Sequence, residues 1–303
     1  MAEGHFLRIA AAVAVGTFSR LVMLRSDYRQ YPSYPHAYVV HLGLGVIAAG
    51  LGALAVPAIV TRNFMAASIL ALAGQQFREV RDMERRSLEK LEDTELVPRG
   101  SAYIEGIARV FEARNYLAMA AALAASLVSY VVPVPQGMAV MVGAACGLLT
   151  AAVIAGVFGR RAVGDIAIVR EGHIRFDGPL LSVDGIVLAN IGLPEARSVI
   201  ETEGIGVVVE PKDDNARATL ANVGQRQAIV HDVASIMGAR VDVSERDFTP
   251  LMRLDVKTGR AGMVIVPIER DIEALLEVVR RVPVIETSVR KPLATRAGRI
   301  AAD

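Results

Sequence analysis

The side chains with the clearest chemical potential lie at the ends of apolar segments. His41 is an ionisable residue in the apolar run 39–60, and Gln75 and Gln76 are amides at the end of the run 64–77. Ionisable groups inside membrane segments often mark functional sites, because charge is costly to bury in lipid. We therefore select His41, Gln75 and Gln76 as candidate intramembrane polar residues. An interfacial hydrogen bond is the alternative role for all three.

Motifs for catalysis, metal binding and nucleotide binding are absent from the sequence. There is no HExxH pattern, and Gly204-Ile205-Gly206 precedes a strand-like segment where a phosphate loop would open a helix. His231 and Asp232 are neighbours in a predicted helix, where adjacent side chains point to different faces and cannot form a dyad with each other. We predict no catalytic residue, no metal site and no cofactor.

The composition indicates a chain of two parts. Of its 303 residues 53% are hydrophobic, and the mean hydropathy is +0.40. A soluble domain has about 45–50% apolar residues, so a membrane part and a soluble part are expected. The formal net charge of +1 argues against a nucleic-acid-binding protein. Cys146 is the single cysteine, which excludes an internal disulfide.

Five segments are apolar enough to be predicted as transmembrane helices. A helix needs about 20 apolar residues to cross a bilayer. The five segments are residues 6–24, 39–60, 64–77, 116–134 and 137–159. The third is short, and the first carries Arg8 and Arg20 near its ends, where long cationic side chains can reach the headgroups. The prediction is a polytopic α-helical membrane domain over 1–160, with a cytosolic loop at 78–115, followed by a cytosolic α/β domain over 161–303.

Lysine and arginine are concentrated on one side of this five-helix arrangement. The loops 25–38 and 78–115 together hold ten of them, whereas the other side has little more than Arg62. Such an excess is typical of cytoplasmic loops. We therefore predict a multi-pass protein of the cell membrane with its N-terminus outside and its C-terminal domain in the cytoplasm. Gly143 and Gly147, at four-residue spacing, favour close helix packing within the bundle or in a homo-oligomer.

Two surfaces on the cytosolic side are candidates for binding a partner protein. Pro98 and Gly100 divide the 78–115 loop, and an amphipathic helical pattern follows them. Its candidate residues are Tyr103, Glu105, Gly106, Arg109, Glu112 and Arg114. In the 25–38 loop the candidates are Tyr28, Tyr31 and Tyr34, between prolines. The alternatives are an interfacial connector with solvated charges for the first surface and membrane-edge anchoring for the second.

Residues 103–108 spell YIEGIA, and the chain resembles the YIEGIA family of membrane proteins from endospore-forming bacteria. The blocks RLVMLRSDYRQYPSYPHAY (20–38), QQFREVRDMERRSLEKLEDTELVPRG (75–100) and FEARNY (111–116) are also similar to that family. The resemblance implies a multi-pass membrane protein connected with sporulation, and a small cytosolic protein subunit as its partner. It implies no reaction and no catalytic residues.

The pattern after residue 160 predicts an α+β domain. Alternation around Glu171-Gly172 and around Asp184-Gly185 predicts two hairpins, over 165–176 and 180–191. Further strands are expected at 205–210, 251–255, 263–268 and 284–286, with helices at 213–237 and 269–281. This βαββαβ order is that of a ferredoxin-like fold.

Three functions remain open at this stage. The favoured one is a non-enzymatic membrane scaffold or complex subunit, because the informative polar residues concentrate on the cytosolic side. The first alternative is a small-solute transporter or channel, for which the spans contain few polar residues. The second is a membrane-bound enzyme such as a protease, with catalytic groups dispersed along the chain.

Overall fold

The computed structural model of the chain describes residues 2–27, 35–92, 95, 97–157, 161–239 and 248–301. The chain forms two compact units. The helical unit comprises Met1–Arg86 and Ile107–Gly159, and the α+β unit comprises Ser87–Gly106 and Arg160–Asp303. Residues 87–106, part of the predicted 78–115 loop, therefore pack with the C-terminal domain. We call these residues the connector.

Six helices are described before residue 158. They are α1 (Ala2–Asp27), α2 (Pro35–Val60), α3 (Phe64–Phe77), α4 (Val80–Glu92), α5 (Ser101–Val131) and α6 (Gln136–Val157). The turn between α2 and α3 depends on Asn63, whose side-chain oxygen accepts the Ala66 N–H at 3.0 Å and caps α3. The last residues of α4 and the first of α5 belong to the connector.

Three of the described helices are long and apolar enough to cross a membrane. The segments are Gly4–Leu24, Tyr38–Val60 and Gln136–Ile154. The other two predicted spans do not meet these criteria among the described residues. Helix α3 has 14 residues, about 21 Å, against a hydrocarbon core of about 30 Å. The predicted span 116–134 forms the second half of the longer helix α5.

Small residues form one part of the interior of the helical unit. Ala12, Val15, Ala49, Ala53, Ala122 and Ala125 make up one buried cluster. A methyl group on Gly52 would collide with the Met119 carbonyl, and one on Gly147 would lie 2.6 Å from the Ala121 carbonyl oxygen. Such contacts allow helix backbones to approach closely in lipid. Gly143 and Gly147 thus pack against α5 of the same chain, and a homo-oligomer stays a prediction.

The α+β unit contains short helices and two antiparallel sheets. Its helices are α7 (Val163–Ile166), α8 (Pro194–Glu203), α9 (Asp214–Leu220), α10 (Val223–Met237), α11 (Ile272–Arg281) and α12 (Arg296–Ala301). Its strands are β1 (Ala167–Gly172), β2 (Ile174–Asp177), β3 (Leu180–Val183), β4 (Ile186–Asn190), β5 (Ile205–Pro211), β6 (Leu251–Leu254) and β7 (Ala261–Ile265). The predicted helix 213–237 is two helices, because Asn222 caps a new one by accepting the Gln225 N–H.

The larger sheet departs from the predicted fold at one edge. Its strand order is β1-β5-β7-β6, with every neighbouring pair antiparallel. The predicted strand 284–286 is wrong, because residues 286–288 form a 3-10 turn and β1 takes the place beside β5. The Val163 N–H donates to Val282 O and the Val284 N–H to Arg161 O, each at 2.9 Å, so this backbone is already paired. The sheet is ferredoxin-like in order, but its edge strand comes from the start of the domain.

Only one of the two predicted hairpins forms. Strands β3 and β4 pair across Asp184 and Gly185, whose φ values are +49° and +81°. Such a turn matches the twist of a two-residue hairpin. The hairpin predicted around Glu171-Gly172 is wrong, because β1 pairs with β5 in one sheet and β2 pairs with β3 in the other.

The larger sheet is covered on both faces. One face, with Val207 and Met263, packs against helices α9, α10 and α11. The other face, with Val208 and Val264, packs against the sheet β2-β3-β4 and helix α8. Double burial explains why β5 and β7 read as nearly continuous apolar runs.

Candidate functional site

Four buried polar residues from four helices meet in the helical unit. We call them the helical polar cluster; they are Arg20 of α1, His41 of α2, Glu84 of α4 and Asn115 of α5. Their exposed fractions are 0, 5, 9 and 0%, respectively. Buried ionisable groups are rare unless they are paired, so this cluster is the most polar interior that the structure describes in the helical unit.

Two polar contacts and one aromatic ring organise the helical polar cluster. His41 Nε2 lies 3.5 Å from Glu84 Oε1, and Arg20 Nε donates to Asn115 Oδ1 at 3.2 Å. The Phe111 ring is beside both pairs, with its centroid 4.5 Å from that of His41 and 5.3 Å from the Arg20 guanidinium carbon. The ring thus provides an apolar wall and a cation–π partner for Arg20.

A glycine makes room for the Arg20 side chain. A methyl group on Gly45 would lie 2.6 Å from Arg20 Cγ, which is well inside van der Waals contact. Arg20 therefore extends into the bundle between helices, and the expectation that it reaches outward to the headgroups is wrong.

The amide nitrogen of Asn115 has no hydrogen-bond partner among the described residues. Asn115 Nδ2 is fully buried and unbonded there, while its Oδ1 accepts from Arg20. An unsatisfied buried donor costs about 1–3 kcal/mol. The cluster therefore includes an amide donor that is positioned by Arg20 and shielded from solvent.

Of the three predicted intramembrane polar residues, only His41 joins this cluster. Gln75 and Gln76 are exposed at the end of α3. Glu84 was missed because α4 is rich in charge. Val80, Glu84 and Leu88 are spaced by four residues and all are buried, so Glu84 occupies the middle position of an apolar stripe. A carboxylate in such a position is the signal that could have identified it.

A second polar site lies in the α+β unit, where the connector packs against α10. We call it the connector dock. His231 Nδ1 is 2.9 Å from Val97 O, and the Tyr103 N–H donates to Gln227 Oε1 at 3.0 Å. The Tyr103 and His231 rings are 6.2 Å apart. Gly100, with φ of +84°, lies so close that a methyl group on it would collide with the Gln227 side chain.

Two carboxylates of the connector, those of Glu92 and Glu95, stabilise the turn within the connector. Glu92 accepts the N–H groups of Arg99 and Gly100, each at 2.9 Å. Arg99 is nearly buried, and its Nη1 lies 2.9 Å from Glu95 Oε1. These charge-assisted bonds stabilise the bend at Pro98 and Gly100 that presents Tyr103 to α10.

Burial shifts the protonation of three groups in the connector dock. It raises the pKa of Asp232 to about 7, against the opposing effect of the Arg99 charge. It raises the pKa of the Tyr103 phenol well above the usual range, and the Asp232 charge adds to this. Burial and then Arg99 lower the pKa of His231. A neutral His231 must carry its proton on Nδ1 in order to donate to Val97 O.

Most of the predicted partner-binding residues near 103–114 are engaged within the chain. Tyr103, Gly106 and Arg114 are buried, whereas Glu105 and Glu112 are half-buried and Arg109 is exposed. Glu112 Oε2 lies 3.9 Å from Arg81 Nη1. Tyr28, Tyr31 and Tyr34 lie outside the described residues. Partner binding by these nine residues stays a prediction.

The adjacent residues His231 and Asp232 were not expected to form a catalytic dyad with each other. Both lie at the connector dock. In the residues that the structure describes, no group of three His, Cys, Asp or Glu side chains is arranged to hold a metal ion.

Comparison with known proteins identifies the family. The family model described as YIEGIA protein matches residues 8–295. The chain belongs to the YIEGIA family. It is 42% identical over 284 residues to "Uncharacterized protein YphB" of Bacillus subtilis (strain 168), which covers 94% of each chain. No solved structure matches it significantly. The family resemblance expected from residues 103–108 is thereby confirmed.

The structure gives the family's signature residues a packing role in this chain. Of the six residues 103–108, only Glu105 is not buried. A methyl group on Gly106 would lie 3.3 Å from the Ile285 and Thr287 side chains, which is a tight contact. The YIEGIA segment thus lies in the first turns of helix α5 as a largely buried element of the fold.

Proposed function

We propose that this chain is a non-enzymatic integral membrane subunit of a protein complex in the sporulating cell. The helical unit anchors it, and the α+β unit with the connector presents the partner-binding surface to the cytoplasm. The carrying observation is the packing of the helical unit: its described interior is largely apolar, and the buried ionisable residues Arg20, His41 and Glu84 gather at one end of the helices.

Contacts at the two ends of the helices support a five-pass topology. At one end, Arg20 contacts Asn115, and His41 contacts Glu84. The His41–Glu84 contact supports a return of the chain through α3 to the end at which α2 begins. On this basis we infer that α3 and the turn before α4 cross the membrane beside α2, although α3 alone is short.

The opposite end of the helices carries the N-terminus. His5 Nδ1 and the Tyr130 hydroxyl are hydrogen-bonded at 2.7 Å, and Gln136 Nε2 donates to Gly4 O at 3.2 Å. Helix α6 then returns antiparallel to α5, because Gly143 packs on Ala125 and Gly147 on Ala121. With the arginine-rich loops in the cytoplasm, the N-terminus is outside and the α+β unit inside.

This topology is tested by thiol accessibility in intact cells. In a Cys146→Ala background, Gln136→Cys should react with a membrane-impermeant maleimide, and Lys90→Cys should react only after the membrane is opened. Both residues are exposed, so burial does not limit the reaction. Labelling of Lys90→Cys in intact cells would overturn the proposed orientation.

A transporter or channel is the weaker alternative. A solute path needs polar groups through the depth of the membrane. Away from the helical polar cluster, the buried hydroxyls of Ser126 and Ser129 bond to backbone carbonyls of Ala53 and Ser126. Solute flux into reconstituted vesicles, lost in His41→Ala, is the result that would favour transport.

The complex-subunit proposal is tested by affinity capture of the tagged chain from detergent-solubilised sporulating cells. We expect a small cytosolic protein to co-purify in a fixed ratio. Arg109→Glu, at the exposed position of the α5 surface, should reduce its recovery, whereas Arg253→Glu, exposed on β6, should not. A stably expressed chain that recovers no stoichiometric partner would count against the proposal.

A further inference from the structure

The end of the chain forms a fixed, positively charged module on the α+β unit. Residues 287–301 contain four cations and no carboxylate, so their formal charge is +4. The cations are Arg290, Lys291, Arg296 and Arg299, and all four are exposed. We call residues 287–301 the basic module.

The basic module is held by hydrogen bonds to α9 and α10. Ser288 is buried and donates to Gln225 Oε1 at 3.0 Å. The Leu293 N–H donates to Asn215 Oδ1 at 3.1 Å, and the Arg290 N–H to Thr219 Oγ1 at 3.3 Å. The module is thus part of the fold, and its cations are displayed from a defined surface.

The module also folds back on itself. A methyl group on Gly298 would collide with the Pro292 carbonyl, so α12 packs directly against the preceding 3-10 turn, Pro292–Ala294. Arg299 Nη1 lies 3.5 Å from Leu293 O. This return places Arg296 and Arg299 in the same small structure as Arg290 and Lys291.

The four cations lack carboxylate partners within the described part of the chain. Two other surface arginines of the unit have carboxylate partners there. Arg281 Nε is 2.7 Å from Glu277 Oε1, and Arg170 contacts Asp184. A compact charge of +4 attracts anions from solution or from an anionic surface.

We propose that the basic module binds the anionic headgroups of the membrane in which the helical unit is embedded. The inference rests on the proposed cytoplasmic orientation of the α+β unit, because anionic lipids give the cytoplasmic leaflet its negative surface potential. Arg161 follows the last residue of α6, Val157, by four positions. Its carbonyl accepts the Val284 N–H, and residue 284 is only three positions before the basic module in the chain. Exposed Ile300 adds an apolar side chain beside the cations.

The test uses the full chain in nanodiscs, where both bilayer faces have the same lipids and cellular orientation has no influence. A fluorophore is attached to Ala297→Cys in a Cys146→Ala background, and a trace of headgroup spin-labelled phosphatidylcholine acts as quencher. Quenching should be strong with phosphatidylglycerol, weak with phosphatidylcholine alone, and reduced by salt. Arg296→Gln/Arg299→Gln should lower the apparent affinity for phosphatidylglycerol on the order of tenfold.

The matched control removes two charges elsewhere on the same unit. Arg175→Gln/Arg253→Gln changes exposed arginines of β2 and β6, and should leave the quenching unchanged. Release by inorganic phosphate at matched ionic strength would overturn the lipid proposal in favour of a free-anion site. Equal quenching with and without phosphatidylglycerol would overturn it outright. Neither result bears on the complex-subunit proposal, which depends on protein capture.

Discussion

His41 Nε2 and Glu84 Oε1 are 3.5 Å apart in the interior of the helical unit, although one residue lies near the start of an apolar helix and the other lies in a charged one. The contact joins α2 to α4. It places the start of α4 beside the start of α2, at the same end of the helical unit. Both side chains are buried, so each provides the other with a polar contact in an apolar environment. Removal of either partner leaves a buried polar group uncompensated.

The His41–Glu84 pair is expected to behave as an energetic unit. His41→Ala and Glu84→Ala should each destabilise the helical unit by about 1–3 kcal/mol, because each removes a polar contact from a buried side chain. The double variant should be clearly less destabilised than the sum, as measured by unfolding in detergent. Glu79→Ala, at an exposed position just before α4, is the control and should be close to neutral. Additive losses would contradict the coupling.

We expect substitution of Gly45 to lower the stability of the helical unit, because the Arg20 side chain packs directly against this position. Gly45→Ala places a methyl group 2.6 Å from Arg20 Cγ and should destabilise the helical unit by about 1–3 kcal/mol through overpacking. Gly43→Ala on the same helix meets nothing within 4 Å, and should be neutral or slightly stabilising because alanine favours a helix. Thermal unfolding of both variants in the same detergent makes the comparison. A Gly45→Ala chain as stable as Gly43→Ala would rule out tight packing on Arg20.

Asp232 predicts a pH dependence of the connector dock. Its folded-state pKa is raised to about 7 from 3.8, so its contribution is fully present below pH 4 and is lost as the pH rises through 7. Asn cannot ionise, so Asp232→Asn removes this loss of folding stability at high pH. The variant should gain stability over the parent chain as the pH rises from 4 to 8, by on the order of 4 kcal/mol. Unfolding of the α+β unit across this range measures the gain.

Asp255 provides a control of opposite sign. Its pKa is lowered, chiefly by a hydrogen bond from the Thr258 hydroxyl, and its contribution is lost as the pH falls through the folded-state pKa. Asp255→Asn should therefore weaken the turn near neutral pH. A stability difference between Asp232→Asn and the parent that stays flat with pH would show that the Asp232 carboxyl is solvated.

Local patterns in the sequence predicted the elements that depend on local chemistry. The Asp184-Gly185 turn specifies the β3–β4 hairpin through its two positive φ values. The strands predicted at 205–210 and 263–268, each followed by a helix, correspond to β5 and β7. The family resemblance came from six consecutive residues, 103–108, and the family comparison over residues 8–295 confirms it.

Features that depend on non-local pairing were not predictable in this way. The alternating pattern of β1 and β2 is typical of a hairpin, but each strand finds its partner elsewhere in the chain. The segment 284–286 has strand-like residues, yet its neighbouring backbone already pairs with residues 161–163. Glu84 and Arg20 are charged in sequence and buried in the structure, because partners from other helices surround them.

Gly100 offers the sharpest test of the connector dock, because the strain of its backbone can be separated from its contact with α10. Gly100→Ala introduces a side chain at φ of +84° and a collision with Gln227. Gly178→Ala introduces one at φ of +57°, where nothing lies within 4 Å, so it carries the backbone cost of about 1–2 kcal/mol alone. Hydrogen exchange of residues 97–103 should therefore accelerate in Gly100→Ala and stay unchanged in Gly178→Ala.

Trimming the neighbour in Gly100→Ala/Gln227→Ala relieves the collision but also removes the acceptor of the Tyr103 N–H, so it should restore protection only in part. Unaltered exchange in Gly100→Ala would mean that the connector does not pack on α10 in solution.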